Sequence, residues 1–199
     1  MLIKDYLVLV ILLVTLGAQL KLRSFSFNWK IFRFIFLISI FLISLVLIYW
    51  SVAQYLIWHR SGTPTSYFLP PYRSISYFLR YIGFRFWLPG IISLLFSLFF
   101  YFSADHFNRK HNGKFFYQEE PYLIALSIFL VGHPLWIFYL MAVLFLWLII
   151  SIVQFLILRK SGRISFRYFW LPAAILVILL KGHLLSIGFL KILQTQAGL

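Results

Sequence analysis

Only four carboxylate side chains occur in this 199-residue chain, and their placement bounds any chemistry it could perform. Asp5 stands alone near the start. The other three, Asp105, Glu119 and Glu120, fall in one stretch, which is the one place where general acid–base chemistry has more than one carboxylate to draw on. These three are the candidate catalytic residues. Glu119 and Glu120 precede Pro121 at the mouth of an apolar helix, where the helix N-terminus favours a negative charge and burial opposes it.

His106 and His111 share that stretch and are weak candidates for metal ligands. Their five-residue spacing suits neither one helix face nor one strand face, and no H-E-x-x-H is present, so no metal is assigned. His133 beside Pro134 reads as a turn residue, and His183 beside Lys181 as an interfacial anchor. No serine stands in a G-x-S-x-G context, and no phosphate-binding glycine loop occurs. Cysteine is absent, which removes thiolate catalysis, disulfides and thiolate-bound metals. No cofactor is expected. The acidic stretch also has a purely structural reading: Glu119-Glu120-Pro121 is a good helix start, and Asn112-Gly113 a turn, so the segment could be a solvated loop with a capped helix after it.

The elements that must position these residues belong to a membrane. Hydrophobic residues make up 63% of the chain, aromatic residues 22% and charged residues 11%. A soluble domain carries about 25% charged residues, so this chain has too little polar surface for water, and too much apolar content for disorder. The expected fold class is all-α, a polytopic membrane helical bundle of one domain over 1–199, with two three-segment halves, 1–104 and 105–199, as a further division. About six membrane segments are expected. The run Tyr6–Leu20 is short; Lys4 precedes it, but no A-x-A cleavage site follows, so it reads as a retained first span. Phe34–Trp58 and Phe86–Ala104 are the second and third. Tyr122–Leu158 holds no charge for 37 residues, about 55 Å as one helix, too long for one crossing of ~30 Å. It must fold back at Gly132-His133-Pro134. Phe169–Leu190 is the last, interrupted by Lys181-Gly182-His183.

Basic residues orient these segments. The net charge is +14, and the cations lie in short clusters between apolar runs, a pattern that fits anionic lipid headgroups and excludes a nucleic-acid partner, since no basic domain exists to carry one. Segments 21–33, 105–120 and 159–167 hold 11 of the 18 Lys and Arg. The positive-inside rule makes them cytoplasmic in a plasma membrane, with both termini outside. Arg60, Arg73, Arg80 and Arg85 then fall on the outer side. Across Arg73–Arg85, Arg73, Ser76 and Arg80 share one helical face and Ile75, Phe78, Leu79 and Ile82 the other, which predicts an interfacial amphipathic helix. Trp50, Trp58, Trp87 and Trp170, near the span ends, read as interfacial aromatics.

Two longer patterns remain. Phe86-Trp87-Leu88-Pro89 and Phe169-Trp170-Leu171-Pro172 open the third and last spans alike, as an inverted repeat in a small transporter would. Glu120-Pro-Tyr-Leu-Ile-Ala-Leu-Ser-Ile-Phe-Leu-Val-Gly132 runs from an acid to a glycine turn, and Gly162-Arg-Ile-Ser-Phe-Arg-Tyr-Phe-Trp-Leu-Pro172 enters the next span from a basic loop. In these features the chain, over about residues 105–180, resembles the C-terminal membrane part of the prepilin peptidases, the membrane aspartic proteases with a GxGD motif. The resemblance implies an acid at the cytoplasmic mouth and a hydrolase using Glu120 with Glu119 or Asp105. The motif is degenerate: Tyr117-Gln118-Glu119-Glu120 replaces GxGD, and no acid lies between Asp5 and Asp105, with His59-Arg60 near where the second aspartate would fall. Three functions follow as expectations: a noncatalytic membrane scaffold or assembly component, which other membrane proteins would join; a prepilin-peptidase-like hydrolase or its inactive derivative; and a small transporter. The scarcity of intramembrane ionisable residues favours the first.

Overall fold

The computed structural model describes residues 2–21, 29–60, 62, 65–111, 113, 115–156 and 166–186. Arg23, Asn112, Lys114, the basic residues Arg159, Lys160 and Arg163, and the distal part of the last expected span lie outside the described residues. Among the described residues all regular structure is helical. The helices are α1 (Leu2–Lys21), α2 (Trp29–Arg60), α3 (Ile75–Ile82), α4 (Leu88–Lys110), α5 (Glu120–Val131), α6 (Trp136–Leu156), α7 (Trp170–Leu179) and α8 (Lys181–Leu185).

Four stretches are long and apolar enough to cross a membrane: Ile3–Lys21, Trp29–Arg60, Ile75–Lys110 and Trp136–Gln154. Two shorter apolar helices, Glu120–Val131 and Phe166–Leu179, accompany them. Large apolar side chains such as Phe34, Phe41, Phe99, Phe102 and Phe145 stand exposed along the long helices. A water-soluble surface does not carry so much apolar area; a bilayer solvates it. The chain is an integral membrane protein.

The short α5 is the centre of the bundle. Eleven of its twelve residues are buried, and α1, α2, α4, α6 and α7 all pack on it. A helix that is apolar on every face has to be enclosed in this way. Small residues let its neighbours come close: Ser93, Ser97 and Ala104 are the buried residues of α4, and the Ser97 hydroxyl donates to the Ala125 carbonyl at 2.8 Å. Ala173 and Ala174 do the same on α7, both fully buried.

The break after α5 falls where the glycine-histidine-proline signal predicts. Gly132 adopts φ 80°, ψ 166°, a backbone region essentially restricted to glycine. The Ser93 hydroxyl then receives the His133 N–H at 2.7 Å, so the turn is bonded to α4. The chain reverses into α6.

The amphipathic helix expected over Arg73–Arg85 forms as α3, but it does not stand apart. It continues through a π-helical turn, Gly83–Trp87, into α4. The Leu88 N–H bonds to the Gly83 carbonyl, five residues back. Pro89 accounts for the wide turn, because proline lacks an N–H and crowds the carbonyl four residues earlier. The buried stripe is also narrower than expected. Phe78 and Ile82 pack with Trp58 and Leu69 in a small second cluster at the end of α2, whereas Ile75 and Leu79 remain exposed.

Candidate functional site

Contacts place the expected basic segments at one end of the bundle. Trp29, at the start of α2, stacks on Tyr122 at 6.0 Å. Tyr101 donates to the Tyr122 hydroxyl at 3.0 Å, which brings the polar end of α4 alongside. Gln19, near the end of α1, is buried and donates to the Arg167 carbonyl at 2.7 Å. The described residues of these segments, Lys21, 29–33, 105–111, 113, 115–120 and 166–167, therefore converge, because α1, α4 and α6 run one way while α2, α5 and α7 run the other.

Two of the candidate acids lie inside this end. Glu119 is 3% exposed and Glu120 1%. They do not form the solvated, capped loop expected of them: the Glu119 side chain makes no hydrogen bond to the helix it precedes. It turns instead to Arg167, Oε1 to Nε at 2.9 Å. The Glu120 Oε2 accepts from the Trp170 indole Nε1 at 3.5 Å, and the Arg167 guanidinium also lies over the Tyr117 ring at 5.6 Å. The physical reason is burial. A carboxylate enclosed by apolar helices must find a cation or donor inside the protein, and that demand outweighs the weak gain from capping its own helix.

Asp105 is not brought into this cluster through an ion pair of its own with it. It sits on the last turns of α4, partly exposed, and pairs with Arg109 four residues on at 2.9 Å. His106 is on the same helix, and His111 follows its end, packed against Phe107 and Phe115. Among the described residues no three His, Asp or Glu side chains gather in a way that could hold a metal ion.

The sequence reading missed Arg167 and Trp170 as partners. Arg167 counted there only as loop charge and Trp170 as an interfacial aromatic. Both lie about fifty residues from their acids, so no local spacing signals the contact. Trp170 is 8% exposed. The other tryptophans near span ends also turn inward: Trp58 is buried in the second cluster, Trp87 donates to the Ser51 hydroxyl at 3.2 Å, and Trp50 packs on Phe86. The four-residue matches open α4 and α7 at opposite ends of the bundle, since Trp170 meets the start of α5 while the Ser93 turn next to Pro89 meets its finish.

The fourth acid is engaged as well. Asp5 pairs with Lys181 at 2.6 Å, joining the start of α1 to α8. An apolar groove of about 600 Å³ runs along α6 and is lined by Met141, Ala142, Leu144, Phe145, Trp147 and Leu148. No known family model, curated protein or solved structure matches this chain.

Proposed function

We propose that the chain is a noncatalytic membrane scaffold or assembly component, in which Glu119 and Asp5 tie separate helical segments together. The observation that carries this reading is the Glu119–Arg167 pair. An aspartic-type mechanism shares one proton between two facing carboxylates. Here Glu119 faces a guanidinium, and Asp105 faces Arg109 on the surface of α4. Glu119 serves a contact between the start of α5 and the residues before α7, which a hydrolase would have to give up, while the Asp105 pair lies within α4. In this reading the chain has six membrane segments in one domain, α5 and α7 being the short ones. The end holding segments 21–33, 105–120 and 159–167 is cytoplasmic, and both termini are outside, in a plasma membrane.

A second reading makes the scaffold an inactive derivative of the prepilin peptidases. Its support is the passage from buried Glu120, at the mouth of α5, to the positive-φ turn at Gly132. One experiment separates both of these noncatalytic readings from an active peptidase. The purified chain, Glu120→Gln and Asp105→Asn are reconstituted and offered a peptide with a hydrophobic leader segment. The scaffold reading expects no cleavage by any of the three. Cleavage by the parent chain that Glu120→Gln abolishes would replace it with the peptidase reading.

A further inference from the structure

The end of the bundle opposite Glu119 carries several cations and one acid, Asp5, which is taken up by Lys181. Arg60, Arg73, Arg80 and Arg85 are all exposed there. No carboxylate side chain occurs between Asp5 and Asp105. The chain has only four acids, and the structure commits them elsewhere: Asp5 to Lys181, Asp105 to Arg109, Glu119 to Arg167, and Glu120 inside the far end. The charge of these four arginines must therefore be met from outside the chain's own acids.

The same surface is arranged for a boundary between water and lipid. Arg73 lies over the Tyr77 ring at 5.0 Å and the Phe68 ring at 5.8 Å. Arg85 lies over Tyr81 at 5.6 Å. These contacts hold two guanidiniums against aromatic faces while their N–H edges stay open, since a ring uses the face of the group and leaves its hydrogen-bonding fork free. Tyr72, Leu79 and Phe84, next to Arg73, Arg80 and Arg85 in the chain, are exposed as well. The whole segment is fixed to the end of α2 by the Trp58, Leu69, Phe78 and Ile82 cluster and is continuous with a membrane-crossing helix. Cations interleaved with exposed aromatic and aliphatic groups, at the end of a span, match a lipid phosphate above and acyl chains below.

We propose that this arginine surface is a binding site for anionic phospholipid headgroups, with Arg73, Arg80 and Arg85 contacting the phosphate oxygens. The site explains how four arginines are held at the end that the positive-inside rule assigns to the outer face: bound anionic lipid supplies the counter-charge. The proposal does not depend on whether the opposite end is a scaffold or a peptidase.

The test uses the full chain in bilayer nanodiscs containing phosphatidylglycerol and phosphatidylcholine, with the lipid retained after gentle extraction read by native mass spectrometry. The parent chain is expected to enrich phosphatidylglycerol over its share in the bilayer. The triple variant Arg73→Gln, Arg80→Gln, Arg85→Gln should lose about fivefold in that enrichment for each arginine removed. Arg109→Gln with Lys110→Gln, at the other end, should retain it. Equal enrichment in the triple variant, or equal loss in the control pair, would overturn the assignment. If the triple variant does not fold, a salt titration of the parent chain decides: enrichment must fall as ionic strength rises, and salt-independent enrichment overturns the proposal. Stronger capture of soluble poly-glutamate than of phosphatidylglycerol would also overturn it, in favour of an acidic protein partner.

Discussion

The two ends of this bundle solve opposite electrostatic problems. At one end, carboxylates are buried and a cation is brought to them from fifty residues away. At the other, arginines are exposed and the one acid present, Asp5, is taken by Lys181. Burial makes the difference. A charge inside a low-dielectric bundle is costly unless its partner is built into the fold, so Glu119 dictates where Arg167 must go. An exposed arginine at a membrane boundary is already solvated, and it can be left for an external anion. The comparison teaches that ionisable residues in a membrane protein become structural or adhesive according to depth, even when their residue types are the same.

The sharpest way to break the comparison is to remove one partner of the buried pair. Arg167→Met should destabilise the protein by about 3–5 kcal/mol, because Glu119 is left enclosed without its cation. Thermal unfolding in detergent reads this directly. The double variant Glu119→Met, Arg167→Met should recover most of the loss, and failure to recover would show that the Arg167 side chain acts mainly through Tyr117. A smaller effect is expected from Gly132→Ala. The added Cβ meets only the Ser93 hydroxyl at 3.8 Å, so space is not the issue. The cost is the positive φ, about 1–3 kcal/mol, measurable as an earlier unfolding midpoint. The smallest effect belongs to the exposed pair: Arg109→Ala should change stability by less than about 0.5 kcal/mol, screened further by salt. If it matched Arg167→Met, depth would not be the deciding variable.

Much of the architecture was legible in the chain. Long apolar runs predicted the spans, because a bilayer demands a set length of apolar helix. The uninterrupted Tyr122–Leu158 run had to fold back, and it does so at Gly132, where the backbone needs a glycine. The fusion of α3 to α4 was not legible, since a proline at the start of a span reads equally as a new beginning or as a strained turn within one helix. Of the about six segments expected, four are long enough to cross a membrane and two are short apolar helices; α5 is enclosed by protein on nearly every face, so it need not match the bilayer by its own length.

The candidate site divides in the same way. The sequence singled out Asp105, Glu119 and Glu120 by scarcity alone: a chain with four acids spends them where charge is needed. It also showed that no acid lies between Asp5 and Asp105, so the arginines of that interval have no acid near them along the chain. What only the tertiary structure decided is depth and pairing. Glu119 and Glu120 follow Asp105 closely along the chain, yet two are sealed beneath Arg167 and Trp170 while Asp105 remains at the surface. Local sequence carries helix periodicity and turn chemistry over a few residues. The partner of a buried charge is chosen by which helices pack together, and that choice is made by the apolar and small residues of α4, α5 and α7, far along the chain from the charges it brings into contact.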